Sequence, residues 1–216
     1  LALLDELWLA GRKLVMVEPR RLEAPARATQ LTRLLGAQPG ETVGYGVRMD
    51  SRCGPRTRIE VVTEGVLTRL LQADPALSGY GGVIFDEFHE RSLNADLALA
   101  LCLEARQALR PDLRLLVMSA TLAGQSIASL LDDAPQLRSE GRSFPVTTQY
   151  MAPTPASRME PGVAQAIQQA LRQETGSVLV FLPGGGELRR LATLLAGHPP
   201  DHVTLMPLSG DLSQAV

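Results

Sequence analysis

Lysine is almost missing from this sequence: of its 21 basic residues only Lys13 is a lysine. A glycine-rich phosphate cradle needs Gly-x-x-x-x-Gly-Lys followed by Ser or Thr. Lys13 is followed by Leu14, so that cradle is not written in these 216 residues. Gly184-Gly185-Gly186 cannot replace it, because Glu187 sets a carboxylate where a cation is needed. Cysteine is scarce too. Cys53 and Cys102 show no framework spacing, which argues against a disulfide scaffold and for a reducing, cytoplasmic setting. His198 and His202 have i,i+4 spacing, but Pro199-Pro200 between them breaks any helix, so a zinc site is not expected. Long apolar runs are lacking as well. Residues 1–10 are apolar but short, interrupted by Asp5-Glu6 and without a basic leader; they read as neither signal peptide nor membrane span. The first residue is Leu, not Met, and with the cradle missing the expectation is a piece of a longer chain.

What is present fits a folded protein. Hydrophobic content of 45% excludes disorder, and the length suits one large or two modest domains. The net charge of −2 is uninformative, but its distribution is not. Between Arg12 and Arg69 there are eleven basic residues against six acidic ones. Such an excess suits a face that tracks a phosphate backbone, or an ordinary solvated arginine surface.

The most informative stretch is Val83-Ile84-Phe85-Asp86-Glu87-Phe88-His89-Glu90-Arg91. A short apolar run after a glycine-rich turn reads as a strand buried on both faces of a parallel sheet. Ligands of open α/β sheets sit beyond the carboxyl ends of such strands, where Asp86 and Glu87 would emerge. Two adjacent carboxylates there suit phosphoryl chemistry on a metal-bound nucleotide, Asp86 holding Mg²⁺ through water and Glu87 orienting and deprotonating the attacking water. The plainer alternative is a strand that ends in a solvated acidic turn.

Asp86-Glu87-Phe88-His89-Glu90-Arg91 resembles the Walker B motif of DEAH-box ATP-dependent helicases of superfamily 2, with Phe88 where most members carry Ala. Other segments resemble further motifs of that family in the right order: Glu18-Pro19-Arg20-Arg21, Val61 to Leu67, Met118-Ser119-Ala120-Thr121, and Leu179 to Gly184. The DEFH spelling, Val43-Gly44-Tyr45, Ser139 to Val146 and Pro183 to Glu187 are most similar to the bacterial HrpB type.

This resemblance implies an RNA helicase that couples hydrolysis of Mg²⁺-ATP to movement along RNA or its remodelling. It implies roles for Asp86, Glu87 and His89 in catalysis, with Asp86 and Glu87 at the Mg²⁺. Ser119, Thr121 and Arg91 would couple the nucleotide to the domain cleft. Pro19, Arg20, Arg21, Thr63, Glu64, Gly65, Pro183 and Gly184 would contact single-stranded RNA without regard to sequence. Arginine suits a phosphate because its planar fork donates two parallel hydrogen bonds. A non-catalytic nucleic-acid-binding fragment, or a motor of the same fold acting on DNA, remains open from the residues alone.

The implied fold class is α/β, with two RecA-like P-loop NTPase domains, both incomplete: residues 1–141, and residues 142–216 with the linker. Periodicity predicts an amphipathic helix over 1–10, a strand at 14–17, and a helix ending at Gly36 with Leu31, Leu34 and Leu35 inward. A strand at 58–62 comes next, then a helix capped by Thr63. A helix to about Leu109 follows the acidic turn, with Leu93, Leu97, Leu101 and Ala105 as its core stripe, and then a strand at 113–118. Later segments predict an edge strand at 146–150, a helix from about Pro161 to Gln173, a strand at 177–182, a helix from 187 to 196, and a strand at 202–206.

Overall fold

The computed structural model describes residues 1–38, 40–120, 124–139, 141–142, 144–151, 158–197 and 203–209. The chain divides into two compact units, Leu1–Ser139 and Glu140–Val216.

The first unit is built on a six-stranded sheet. Its strands are β1 (Lys13–Glu18), β2 (Val43–Val47), β3 (Asp50–Arg52), β4 (Ile59–Thr63), β5 (Tyr80–Phe85) and β6 (Arg114–Val117). They lie in the order β3-β2-β4-β1-β5-β6, all parallel except the β2–β3 hairpin. Helices α1 (Glu23–Leu35), α2 (Glu64–Ala73), α3 (Leu93–Ala108) and α4 (Gly124–Leu130) complete it.

Successive residues of a strand face opposite sides, so β1 feeds two cores. Val15 and Val17 join Leu67, Phe85, Leu99 and Cys102 on one face. Leu14 and Met16 join Leu9, Ala24, Ala28 and Ile59 on the other. A parallel sheet covered on both sides demands this continuous apolar patterning, and the predicted strands at 14–17, 58–62, 83–85 and 113–118 coincide with β1, β4, β5 and β6. The β2–β3 hairpin was not predicted. It depends on Gly44, where an added Cβ would lie 2.5 Å from the Arg52 carbonyl oxygen and 2.8 Å from Cys53 Sγ.

Several expectations are corrected. Residues 1–10 form two short 3₁₀ turns, Ala2–Asp5 and Leu7–Leu9, in place of one helix. Helix α1 does stop at Gly36, which takes a left-handed conformation (φ 63°) that glycine adopts without steric cost. Its buried face is Ala24, Ala28 and Thr32, however, while Leu34 and Leu35 are exposed. On α3 the buried face is Ala95, Ala98, Leu99, Cys102 and Ala105; Leu93 and Leu97 face solvent. These mostly small residues pack in one cluster with Leu67 and Leu71 of α2 and with Val83 and Phe85 of β5, and α2 is the main neighbour of this helix.

In the second unit, α5 (Glu160–Gln173) and α6 (Gly185–Ala196) form as predicted and pack together. The strands expected at 146–150 and 177–182 do not form, nor does one over 203–206, the described part of the third. Among the described residues no helix is long and apolar enough to cross a membrane.

Candidate active site

The turn after β5 is held by both neighbouring strands. The Asp86 amide donates to the Val17 carbonyl (3.0 Å), and the Phe88 amide donates to that of Met118 (3.0 Å). Phe88 is buried edge-to-face on Phe85, with ring centroids 5.8 Å apart. The turn therefore has an aromatic anchor beneath it and backbone ties on either side.

Asp86 is fixed through both carboxylate oxygens. Oδ1 accepts the Glu87 amide (2.9 Å) and Oδ2 accepts Arg27 Nη2 (2.8 Å). Arg27 also donates from Nε to Glu18 Oε1 at 2.9 Å. Glu18 ends β1 with 1% of its surface exposed. Burial pushes its carboxyl above the usual range and outweighs the opposing hydrogen bond from Arg27, which in turn holds the guanidinium pKa up. Sequence reasoning passed over Arg27. Its position in α1, the helix that leaves the same sheet edge where Asp86 emerges, was the signal that could have found it.

Glu87 adopts a left-handed backbone (φ 48°, ψ 34°), as does Arg91 in φ (47°). For a non-glycine residue such a conformation costs on the order of 1–3 kcal/mol, and it gathers at functional sites. The strain turns the Glu87 carboxylate, 40% exposed, outward beside His89, with Oε2 3.3 Å from Nδ1. The same Nδ1 accepts the Ala120 amide at 3.3 Å. One nitrogen cannot accept from Ala120 while donating to Glu87, so the tautomer of His89 selects its partner. Ser119 is exposed at the end of β6 beside this contact; Thr121 lies outside the described residues. Arg91 pairs with Asp96 (2.9 Å), its guanidinium carbon 5.6 Å from the centre of the Phe88 ring.

The loops after β1 and β4 flank this turn. A cavity of about 130 Å³ is lined by Pro19, Glu64, Asp86, Glu87, Glu90 and Arg91, among others. Arg20 is exposed and pairs with Glu90 (2.8 Å) and Glu23 (3.4 Å). Arg21 is exposed and forms no ion pair with a described residue. Thr63 holds the first capping position of α2 in extended backbone, but its side chain makes no capping bond. Glu64 is not on an open face. It is buried, and its Oε2 accepts from Ser92 Oγ at 2.6 Å, the same Ser92 that caps α3 by accepting the Ala95 amide. Gly65 is exposed. Pro183 and Gly184 belong to the second unit, where Gly184 precedes α6 and accepts the Leu188 amide.

No family model matches the chain. The chain is 55% identical over 202 residues to the ATP-dependent RNA helicase HrpB of Escherichia coli, covering 93% of this chain and 25% of that protein. To the probable ATP-dependent RNA helicase DHR2 of Saccharomyces cerevisiae it is 36% identical over 182 residues, 84% of this chain and 25% of the relative. It thus spans about a quarter of the length of the curated relatives it matches. The crystal structure of the Escherichia coli DEAH/RHA helicase HrpB superposes with a TM-score of 0.91 at 52% identity, covering 98% of this chain and 27% of that one. A second, of the Escherichia coli DExH-box NTPase HrpB, gives 0.81 at 53% identity, covering 94% and 25%. The resemblance to DEAH-box helicases of the HrpB type, and the RecA-like α/β fold, hold along the matched length.

Proposed function

We propose that this chain, of DEAH-box helicase sequence and fold, serves in an ATP-dependent RNA helicase as the half of the nucleotide site that holds metal and activates water. The observation that carries this is the strained turn at the carboxyl end of β5. It presents a fixed Asp86 beside an outward Glu87. In this reading residues 1–141 belong to the first helicase domain and residues 142–216 to the linker and the second.

The donor set fits Mg²⁺. Each oxygen of Asp86 accepts one bond and keeps a second lone pair. Among the described residues no three His, Cys, Asp or Glu side chains cluster as an all-protein metal site. That suits an ion held by one carboxylate, waters and substrate phosphates. When bound, Mg²⁺ neutralises charge on the β- and γ-phosphates. Asp86 would hold the ion through its waters, and Arg27 keeps the carboxylate in one orientation. Glu87 accepts the proton of the attacking water. His89 Nδ1 bonds either that carboxylate or the Ala120 amide, so its tautomer links the state of the turn to the residues after β6. Ser119 and Thr121 extend this link, and Arg91 fixes the far side of the turn against α3.

Arg20 and Arg21, with Pro19, Thr63 and Gly65, contact the RNA backbone; Pro183 and Gly184 contribute from the second unit. Glu64 acts from behind, by holding Ser92. None of these residues is aromatic, so the contacts carry charge and position with no base readout. Binding is then to single strands, nearly independent of sequence, in the cytoplasm.

The test is RNA-stimulated phosphate release by the full-length protein. Glu87→Gln should keep nucleotide binding and lose about a hundredfold or more in turnover, because an amide cannot take the water's proton. Wild-type turnover in that variant would overturn the assignment.

A further inference from the structure

The ion pair between Arg20 and Glu90 joins two loops to which different tasks are assigned above. Arg20 lies after β1 on the nucleic-acid face; Glu90 lies in the turn that carries Asp86 and Glu87. Nη2 of Arg20 is 2.8 Å from Glu90 Oε1, and Nη1 is 3.4 Å from Glu23 Oε1. The two carboxylates are not equivalent. Glu23 begins α1, on Arg20's own side, whereas the backbone amide of Glu90 donates to the Glu87 carbonyl at 2.9 Å. The Arg20 side chain is 64% exposed and that of Glu90 33% exposed, so an incoming anion can reach the guanidinium.

A guanidinium has two bidentate edges, and both use Nη2, the nitrogen that Glu90 holds. A phosphate that takes the N–H aimed at Glu90 displaces that carboxylate. We propose that Glu90 is a positioning residue that competes with the RNA phosphate for Arg20, so that RNA binding frees the turn bearing Glu87 from the β1 loop. The proposal rests on the reading of Arg20 as a backbone contact. The pair is exposed, so the competition is weak by design of its surroundings; exposed pairs of this kind change equilibria by about two- to fivefold.

The test uses the full-length protein and a single-stranded RNA oligonucleotide at low salt. Affinity and the ratio of RNA-stimulated to basal ATP hydrolysis are both measured. Glu90→Gln should tighten RNA binding about two- to fivefold and lower the stimulation ratio. In an Arg20→Ala background the same change should leave affinity unaltered. Glu23→Gln removes an equal charge from Arg20 without touching the turn; it should tighten binding slightly and leave the stimulation ratio intact.

The outcomes separate cleanly. If Arg20→Ala alone does not weaken RNA binding, the role of Arg20 itself fails. If Arg20→Ala weakens binding but Glu90→Gln changes nothing, only the competition fails. Tightening by Glu90→Gln that persists in the Arg20→Ala background would reduce it to a general charge effect and overturn the proposal. So would a Glu23→Gln protein that loses stimulation as much as Glu90→Gln.

Discussion

The two units treat similar apolar segments in opposite ways. Val83-Ile84-Phe85 becomes a strand with Val83 and Phe85 each 1% exposed. Val178-Leu179-Val180-Phe181 has the same chemistry, yet no strand forms there, and Phe181 is 86% exposed. The difference is neighbours. β5 has β1 on one side and β6 on the other to take its backbone groups, residues of α2 and α3 clustered with Val83 and Phe85, and the Leu7–Leu9 turn against Gly81 and Gly82. Among its described residues the second unit buries little beyond Ile167, Leu191 and Glu160. A strand is a relation between segments, and β propensity describes only a fitness for it.

Buried carboxylates repeat the contrast. In the first unit Glu18 lies within the sheet, and burial raises its pKa. In the second, Glu160 is covered chiefly by Arg190, whose hydrogen bond leads in lowering it. Glu18 therefore favours its protonated form on folding, and Glu160 its charged form.

The largest expected effect is in amide exchange. The amides of Val15 to Val17 and Val83 to Phe85 should exchange only with global opening, several orders of magnitude slower than those of residues 178–181. Comparable protection in both segments would erase the contrast. Next, Phe85→Ala should cost about 3–5 kcal/mol in urea unfolding, since it opens a cavity beneath Phe88. Arg27→Ala should cost about 1–3 kcal/mol at neutral pH by leaving Glu18 buried without its partner. That cost should shrink on acidification, because the carboxyl protonates as pH falls through its raised folded pKa. Glu160 gives the same trend from the opposite shift: its contribution is present above its unfolded pKa and is lost as pH falls through its lowered folded pKa, so Glu160→Gln should lose its effect in acid. A melt of Arg27→Ala that does not vary with pH would remove Glu18 from the argument. The smallest effect is Phe181→Ala, within about 0.5 kcal/mol by denaturant titration. A larger loss would mean that Phe181 is covered.

Much of this was legible in the residues. Four of the six strands, the stop of α1 at Gly36 and the acidic turn follow from apolar runs, glycine stops and one dipeptide of carboxylates. The misses share a cause. The buried side of α3 was assigned to leucines because leucine is apolar, whereas the face that meets α2 is mostly small: Ala95, Ala98, Cys102 and Ala105 beside Leu99. Arg27, and the bond of Glu64 to Ser92, escaped because they join residues 59 and 28 positions apart; periodicity carries no information at that range. Gly44 was noticed as spelling, and only the close approach of Arg52 shows why a side chain there is excluded.

The left-handed backbone at Glu87 bears on how this segment would drift under selection. Glycine and asparagine occupy that conformation at lower cost than glutamate. A library randomised at position 87 and sorted for folded protein alone should therefore enrich Gly and Asn. The same library sorted for nucleotide turnover should return Glu. The gap between the two enriched sets would record how much folding stability the lineage forgoes to keep one carboxylate facing outward.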